Sequence, residues 1–355
     1  MNAAEEQLLF LLQKGIPLVP RPFAELGTTV GMTEEQVLQF VRGLFRDSIA
    51  RRLGAVFDSR YLGYRSALCA VRIDDPAAIE TAARAIAPLT GITHCYERGW
   101  SAELPSGHPA APRPGEVWPN LWFTLAELSD RFEAQARQIQ QAIAPAALRV
   151  LPAKTRFKIE VVFDTARFSS HVETFPDVVV RPELPTPPPL DARQRQIVQR
   201  LEGQLEPVAD FFSAPEQELG LSTEALLEQL RIWQNTGVLR RIAIILRHRE
   251  VGLRANAMCV WRATPEIVAA AGRRLAEQPS VTHCYERIAF DGFPYNLYAM
   301  THARQWPEVL AEFERLSTVG GLTYGRLLCS LREFKKTSMK YFAGKIGRAS
   351  CRERV

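Results

Sequence analysis

Thr93-His94-Cys95-Tyr96-Glu97-Arg98 recurs letter for letter as Thr282-His283-Cys284-Tyr285-Glu286-Arg287, 189 positions later (282 − 93). Six consecutive identities that include His, Cys and Tyr mark an internal repeat rather than a coincidence of composition. At the same offset Arg51-Arg52 matches Arg240-Arg241, Arg60 matches Arg249, Gly63 matches Gly252, Arg65 matches Arg254 and Val71 matches Val260. The chain reads as a tandem duplication of a unit of about 150 to 170 residues. Two copies exclude a long solenoid and predict a pseudo-symmetric pair, a pseudo-dimer within one chain.

Between the units, residues 171–190 run to Pro185-Thr186-Pro187-Pro188-Pro189, a stiff extended linker. Each unit opens with a helix-turn-helix pattern. In the first, residues 4–14 have helical spacing, Pro22 to Gly31 holds a short helix, and Thr33 before Glu34-Glu35 caps a third that ends near Asp47. In the second the helices fall at 191–206, 208–219 and 222–236, closed by Gly237. Arg51 to Phe57 and Leu62 to Leu68 read as two strands joined by a turn, the wing of a winged helix, repeated at 240–246 and 251–260.

The rest of the first unit has the order β-α-β-β-α-β: a strand at 64–73, a helix at 76–87, the motif strand, a strand at 120–124, a helix at 125–143 and a strand at 157–163. The second unit repeats it through 296–300, 306–316 and 327–333. The expected class is α+β, a tandem duplication in which each unit is a winged helix-turn-helix followed by a ferredoxin-like βαββαβ domain. The expected boundaries are 1–48, 49–170, 171–190, 191–239 and 240–343, with 344–355 a disordered tail. Between Arg98 and Asn120 lie 21 residues, against eight between Arg287 and Asn296. The insert at 99–119, rich in Pro, Gly, Ser and Ala, reads as a loop that only the first unit carries.

Of the 355 residues 46% are hydrophobic and 23% charged, which supports sizeable cores and excludes a disordered or fibrous class. The longest apolar run near the start, Leu8 to Leu12, is far shorter than the roughly 20 residues of a membrane span, and no basic segment precedes it. A cytoplasmic protein with no membrane partner is expected. The six cysteines form no Cys-x-x-Cys pair, so reduced thiols and no metal site are expected. Seven of the 44 basic residues are Lys; the remaining Arg supply forked donors for carboxylate or phosphate.

A winged helix followed by βαββαβ is the layout of the leucine-responsive Lrp/AsnC regulators, so a ligand-responsive transcription regulator is one reading. The charge on the groove-facing helices opposes it. From Thr33 to Asp47 two Arg face Glu34, Glu35 and Asp47, and from Ser222 to Thr236 Arg231 faces Glu224 and Glu228, so both are net negative. A helix that lies among phosphates gains affinity by neutralising them. No specific DNA partner is therefore expected.

The chain also carries Pro20-Arg21-Pro22-Phe23, Arg52-Leu53-Gly54-Ala55-Val56, Asn120-Leu121-Trp122-Phe123-Thr124-Leu125, Phe293-Pro294-Tyr295-Asn296-Leu297-Tyr298-Ala299-Met300 and His302. With the repeated motif, these resemble the sirohaem decarboxylases, a family built like Lrp/AsnC regulators that works as pairs of related subunits or as their fusion. The resemblance covers about 5–343. It implies that sirohaem loses two acetate carboxyl groups to give 12,18-didecarboxysirohaem, in d-type haem or alternative haem biosynthesis, by a carboxy-lyase with no cofactor, iron entering only as part of the substrate. A non-catalytic tetrapyrrole carrier is a third reading, and whether the fused chain forms a further homodimer is left open.

Sirohaem carries eight carboxylates, which suits Arg, and a proton must reach each new methyl group, which suits His. The resemblance implies essential histidines in this pocket: His283 and His302 first, His94 next. Alternate strand residues share a face, so His283, Tyr285 and Arg287 point one way with Cys284 and Glu286 opposite, and the same holds for His94, Tyr96 and Arg98. A repeated His on a strand can equally be a hydrogen-bonded structural residue, and such a face a polar sheet surface. The substrate-binding set is Arg249, Arg254, Arg287, Tyr285, Asn296, Arg60, Arg65, Arg98 and Tyr96. Cys95 and Cys284 read as core residues facing the helices. His108 and His171 read as incidental.

Overall fold

The computed structural model describes residues 1–113, 115–116, 118–159, 189–247 and 253–342. Most of the expected linker, the tail, Arg249, His171 and His248 lie outside the described residues. The first half contains α1 (Ala3–Lys14), α2 (Pro22–Val30), α3 (Glu34–Arg46), β1 (Ala50–Phe57), β2 (Tyr64–Val71), α4 (Pro76–Ile86), β3 (Ile92–Gly99), β4 (Leu121–Leu128), α5 (Phe132–Ala142) and β5 (Leu148–Ile159). The second contains α6 (Ala192–Leu201), α7 (Ser213–Leu219), α8 (Thr223–Thr236), β6 (Leu239–Leu246), β7 (Ala255–Trp261), α9 (Pro265–Ala276), β8 (Val281–Arg287), β9 (Leu297–Ala303), α10 (Trp306–Gly320) and β10 (Gly325–Lys336).

The helical starts are set by local chemistry. Thr33 accepts from the Gln36 amide while the Gln36 side chain accepts from the Thr33 amide, a capping box, and Ser222 accepts from the Ala225 amide. Gly237 ends α8 at φ 84°, a left-handed position that favours glycine. The buried stripes of α3 (Val37, Leu38, Val41, Leu44) and α8 (Leu226, Leu227, Leu230, Trp233) join one apolar core shared by both halves.

The two expected wings do not form. β1 pairs antiparallel with β6 of the other half, centred on Gly54 opposite Ala243, so both halves contribute to one ribbon. Residues 58–63 curl through turns in which Tyr61 and Leu62 amides donate to the carbonyls of Asp58 and Ser59. The chain thereby leaves the ribbon, and β2 enters a different sheet.

That sheet is an eight-stranded closed barrel, ordered β10-β3-β4-β2-β5-β8-β9-β7. Each half supplies four strands in the β-α-β-β-α-β order, and the long β5 and β10 bind them together. β5 pairs with β2 through Leu148–Pro152 and then with β8 from Ala153 onward, while β10 pairs with β7 up to Cys329 and then with β3. Closure leaves no barrel strand with an unpaired edge. Helices cover the outside of each four-strand set. Cys95, Leu121, Phe123 and Leu125 pack under α4 and α5, and Cys284, Leu297 and Ala299 under α9 and α10.

Two expected boundaries move. Leu125–Leu128 continue β4, paired with Tyr64–Ala67, so the following helix starts only at Phe132. The last strand of the first half starts at Leu148 rather than at 157 and is described to Ile159, with 160–163 outside the described residues, since its first five residues complete their own sheet before the remainder crosses over. The repeat offset also slips in one strand: the amides of Asn120 and Asn296 donate at 3.0 Å to the carbonyls of Val71 and Trp261, which makes those two residues equivalent and the offset there 190 (261 − 71).

The insert at 99–119 docks on the other half. Leu104 and Ala110 join the core under α9 and α10, and Trp118 packs between the two strand sets with Phe293 and Tyr295. Glu116 pairs at 2.8 Å with Arg326, whose side chain is only 1% exposed.

Candidate functional site

Between the β1/β6 ribbon and the barrel interior lies a cavity of about 490 Å³, within the range of small-molecule sites. Strand alternation builds its walls. His94, Tyr96 and Arg98 on β3 and His283, Tyr285 and Arg287 on β8 face inward from opposite sides of the pseudo-two-fold, while Cys95 and Cys284 face the helices. Glu286 turns outward to Lys154 and Thr155, each at 2.8 Å. Trp122 and Tyr298 occupy equivalent inward positions on β4 and β9, and His302 joins the wall where the first half has Ala126.

Arg98 and Arg287 are 6% and 9% exposed. Their guanidinium carbons stand 5.1 and 4.6 Å from the rings of Tyr96 and Tyr285. Arg98 donates to the Leu328 carbonyl at 3.4 Å and to the Met300 sulfur at 3.9 Å, Arg287 donates to the Leu151 carbonyl at 2.5 Å, and both Nε atoms are buried without an acceptor among the described residues. Burial lowers both guanidinium pKa values, Arg98 to about 10. Arginines held this way without a carboxylate are open donors for an anion.

The histidine rings open on the chamber but are densely surrounded. Burial and the charges of Lys336, Arg51 and Arg98 push His94 down to about 3, and burial with Arg240 and Arg287 foremost among the cations pushes His283 down to about 4. Both are therefore neutral near pH 7. Nδ1 of His94 lies 2.9 Å from the Thr93 hydroxyl and Nδ1 of His283 lies 3.1 Å from that of Thr282. The Thr282 hydroxyl also lies 3.4 Å from the Met300 carbonyl.

Four expected binding residues lie elsewhere. Arg65 stands on the helix side of β2, exposed and paired with Glu133 at 2.6 Å, because it shares a face with Ala67, Cys69 and Val71. Arg254 is exposed; the 190 offset makes it the counterpart of Tyr64 rather than of Arg65, and a one-residue slip reverses the faces of a strand. Arg60 is engaged by Asp58 at 2.8 and 3.0 Å. Asn296 clasps the Ala263 backbone through both ends of its amide, at 2.8 and 2.9 Å.

In their place the ribbon contributes Arg51, Arg52, Arg240 and Arg241. Their paired recurrence at the motif's own offset was the available signal. Arg51 donates to Ser338 at 3.3 Å, and its Nε and Nη1 are buried without acceptors among the described residues. Among the described residues no cluster of three or more His, Cys, Asp or Glu is arranged for a metal, and no helix is long and apolar enough to cross a membrane.

A family model described as an AsnC-like ligand binding domain matches residues 61–158 and 250–335, and one described as a siroheme decarboxylase NirDL-like HTH domain matches residues 5–51. The chain is 34% identical over 346 residues to a siroheme decarboxylase of Hydrogenobacter thermophilus, spanning 95% of each chain. It is 31% identical over 347 residues to the siroheme decarboxylase NirDL subunit of Paracoccus denitrificans, spanning 95% of this chain and 96% of that one. The crystal structure of the siroheme decarboxylase NirDL in co-complex with an iron-uroporphyrin III analogue matches with a TM-score of 0.68 at 30% identity, covering 96% of this chain and 95% of that one.

Proposed function

The chain belongs to the sirohaem decarboxylase family, and from that premise we propose that the chamber removes two acetate carboxyl groups from sirohaem, as a carboxy-lyase yielding 12,18-didecarboxysirohaem. The observation that carries this reading is the pair Arg98 and Arg287, buried on opposite walls beside a neutral histidine each and facing no protein carboxylate among the described residues.

Arg98, Arg287 and Arg51 hold substrate carboxylates, and Tyr96, Tyr285, Trp122 and Tyr298 pack on the macrocycle. In each step the bond between the acetate methylene and its carboxyl carbon breaks. Carbon dioxide leaves, the bonding electron pair passes into the macrocycle, and a proton completes the methyl group. Atoms and electrons balance with one proton per carboxyl group, so we assign no cofactor beyond the substrate's own iron. His283 and His302 deliver that proton, with His94 in the equivalent place of the first half. Entry of a polyanion raises the pKa of the histidines and charges them from solvent.

Two repeats of one element order support the reading of the chain as a duplicated unit whose halves form a pseudo-dimer. Anaerobic sirohaem incubated with the pure protein is expected to yield a product lighter by two carbon dioxide units, read by mass spectrometry. Bound sirohaem of unchanged mass would instead mark a carrier. The regulator reading makes the opposite prediction for DNA. The groove helices are net negative, and Arg42 and Arg231 donate to the Pro207 and Leu18 carbonyls at 3.2 and 2.8 Å rather than to an open groove face. No footprint that survives roughly physiological salt is expected on duplex DNA.

A further inference from the structure

The β1/β6 ribbon obeys its pseudo-two-fold closely. The Asp58 amide donates to the Val238 carbonyl at 3.0 Å at one end, and the Arg247 amide donates to the Ile49 carbonyl at 2.8 Å at the other. The two positions are equivalent in backbone and opposite in charge. Asp58 is 3% exposed and accepts from Arg60 at 2.8 and 3.0 Å and from Arg240 at 3.0 Å, with Arg156 4.0 Å away. Burial opposes its ionisation, but the hydrogen bonds from Arg60 and the charge of Arg240 outweigh this and hold the carboxyl well below the usual range.

The consequence for the chamber is unequal ends. Arg240 and Arg51 are equivalent chamber arginines. Arg240 is committed to Asp58, whereas Arg51 donates to the Ser338 hydroxyl and keeps two buried nitrogens without acceptors among the described residues, with Tyr96 and Glu333 acting coulombically on its charge. The strand partners differ in the same sense: Lys336 stands opposite His94, and Ile159 opposite His283. The motif walls are matched across the axis, His94, Tyr96 and Arg98 against His283, Tyr285 and Arg287, so a planar polycarboxylate meets the same paired donors in two orientations, although His302 and Glu202 line the chamber from the second half alone. Sirohaem lacks that symmetry, and a reaction at defined acetates requires one orientation.

We propose that Asp58 is a positioning residue that fixes which way round sirohaem sits, by withdrawing Arg240 from carboxylate binding and leaving the Arg51 end to hold the carboxylates. This rests on the decarboxylase reading and adds the determinant of its regiochemistry. The test is the ratio of the two mono-decarboxylated isomers at partial turnover, resolved by chromatography and assigned by NMR. The ratio does not depend on how much of the protein is active. Asp58→Asn frees Arg240, and Arg247→Asp, at an exposed site outside the apolar core, gives the Arg51 end its own carboxylate. Each should shift the ratio by at least about tenfold, the factor carried by one charge-assisted hydrogen bond. An unchanged ratio in Arg247→Asp and in folded Asp58→Asn overturns the assignment while leaving decarboxylation intact. A wild-type protein that releases no carbon dioxide overturns the functional reading instead.

Discussion

His283→Ala should lower turnover by about 10²- to 10⁴-fold, the contribution of a positioned general acid, with sirohaem still bound. Binding should survive because Arg98, Arg287 and Arg51 hold the carboxylates. His302→Ala is expected to act alike, and His94→Ala compares the two halves directly. Single-turnover release of carbon dioxide measures the chemical step, and the absorbance of bound sirohaem measures occupancy. The pH behaviour supplies a second readout. His283 is held down to about 4, so below the ordinary histidine pKa of roughly 6.5 the unfolded chain binds protons that the folded one does not. The empty protein should therefore lose stability as pH falls from about 6.5 towards 4, and less so in His283→Ala. Substrate binding near neutral pH should take up protons, measured by calorimetry in two buffers of different ionisation enthalpy. Full turnover in both His283→Ala and His302→Ala, with none in His94→Ala, would move the active half to the first unit.

Glu116→Ala should cost about 3 kcal/mol of stability, at the low end of the range for breaking a buried ion pair by removing one partner. Arg326 is 1% exposed, and its Nε and Nη2 both donate to Glu116, at 3.1 and 2.8 Å. Its Nη1 donates to the carbonyls of Pro109 and Gly325, so without Glu116 a buried charge would be left on neutral acceptors. Tyr295 also donates to Glu116, at 3.3 Å, which places the loss at the end of the barrel. Urea denaturation checks the size of the effect. Glu116→Ala combined with Arg326→Met, which removes the stranded charge, should recover most of the loss. A single substitution without effect would show that the Glu116–Arg326 pair does not anchor the insert.

Much of the site was legible because it obeys the shortest-range rule in a protein. A strand sends alternate side chains to opposite faces, so Thr-His-Cys-Tyr-Glu-Arg by itself separates His283, Tyr285 and Arg287 from Cys284 and Glu286, and the structure keeps that division. Thr33, Ser222 and Gly237 end helices through groups within a few residues of themselves. Arg65 and Arg254 show where that rule needs more: the ungapped repeat paired them, but the offset of the strand is 190, and one residue decides the face.

The sequence by itself determined that one six-residue motif occurs twice, the helix-turn-helix and βαββαβ order of elements around each occurrence, and the face the motif presents. Each of these follows from periodicity, capping or identity at short range. Only the tertiary structure decided that β1 pairs with β6 instead of folding back as a wing, that β5 and β10 cross over to close one barrel, and that the insert of one half docks on the other. These are backbone ladders and one ion pair between residues far apart in the chain. A strand's unpaired amides and carbonyls require a partner but do not specify which strand supplies it, so the choice emerged only when the two halves packed together.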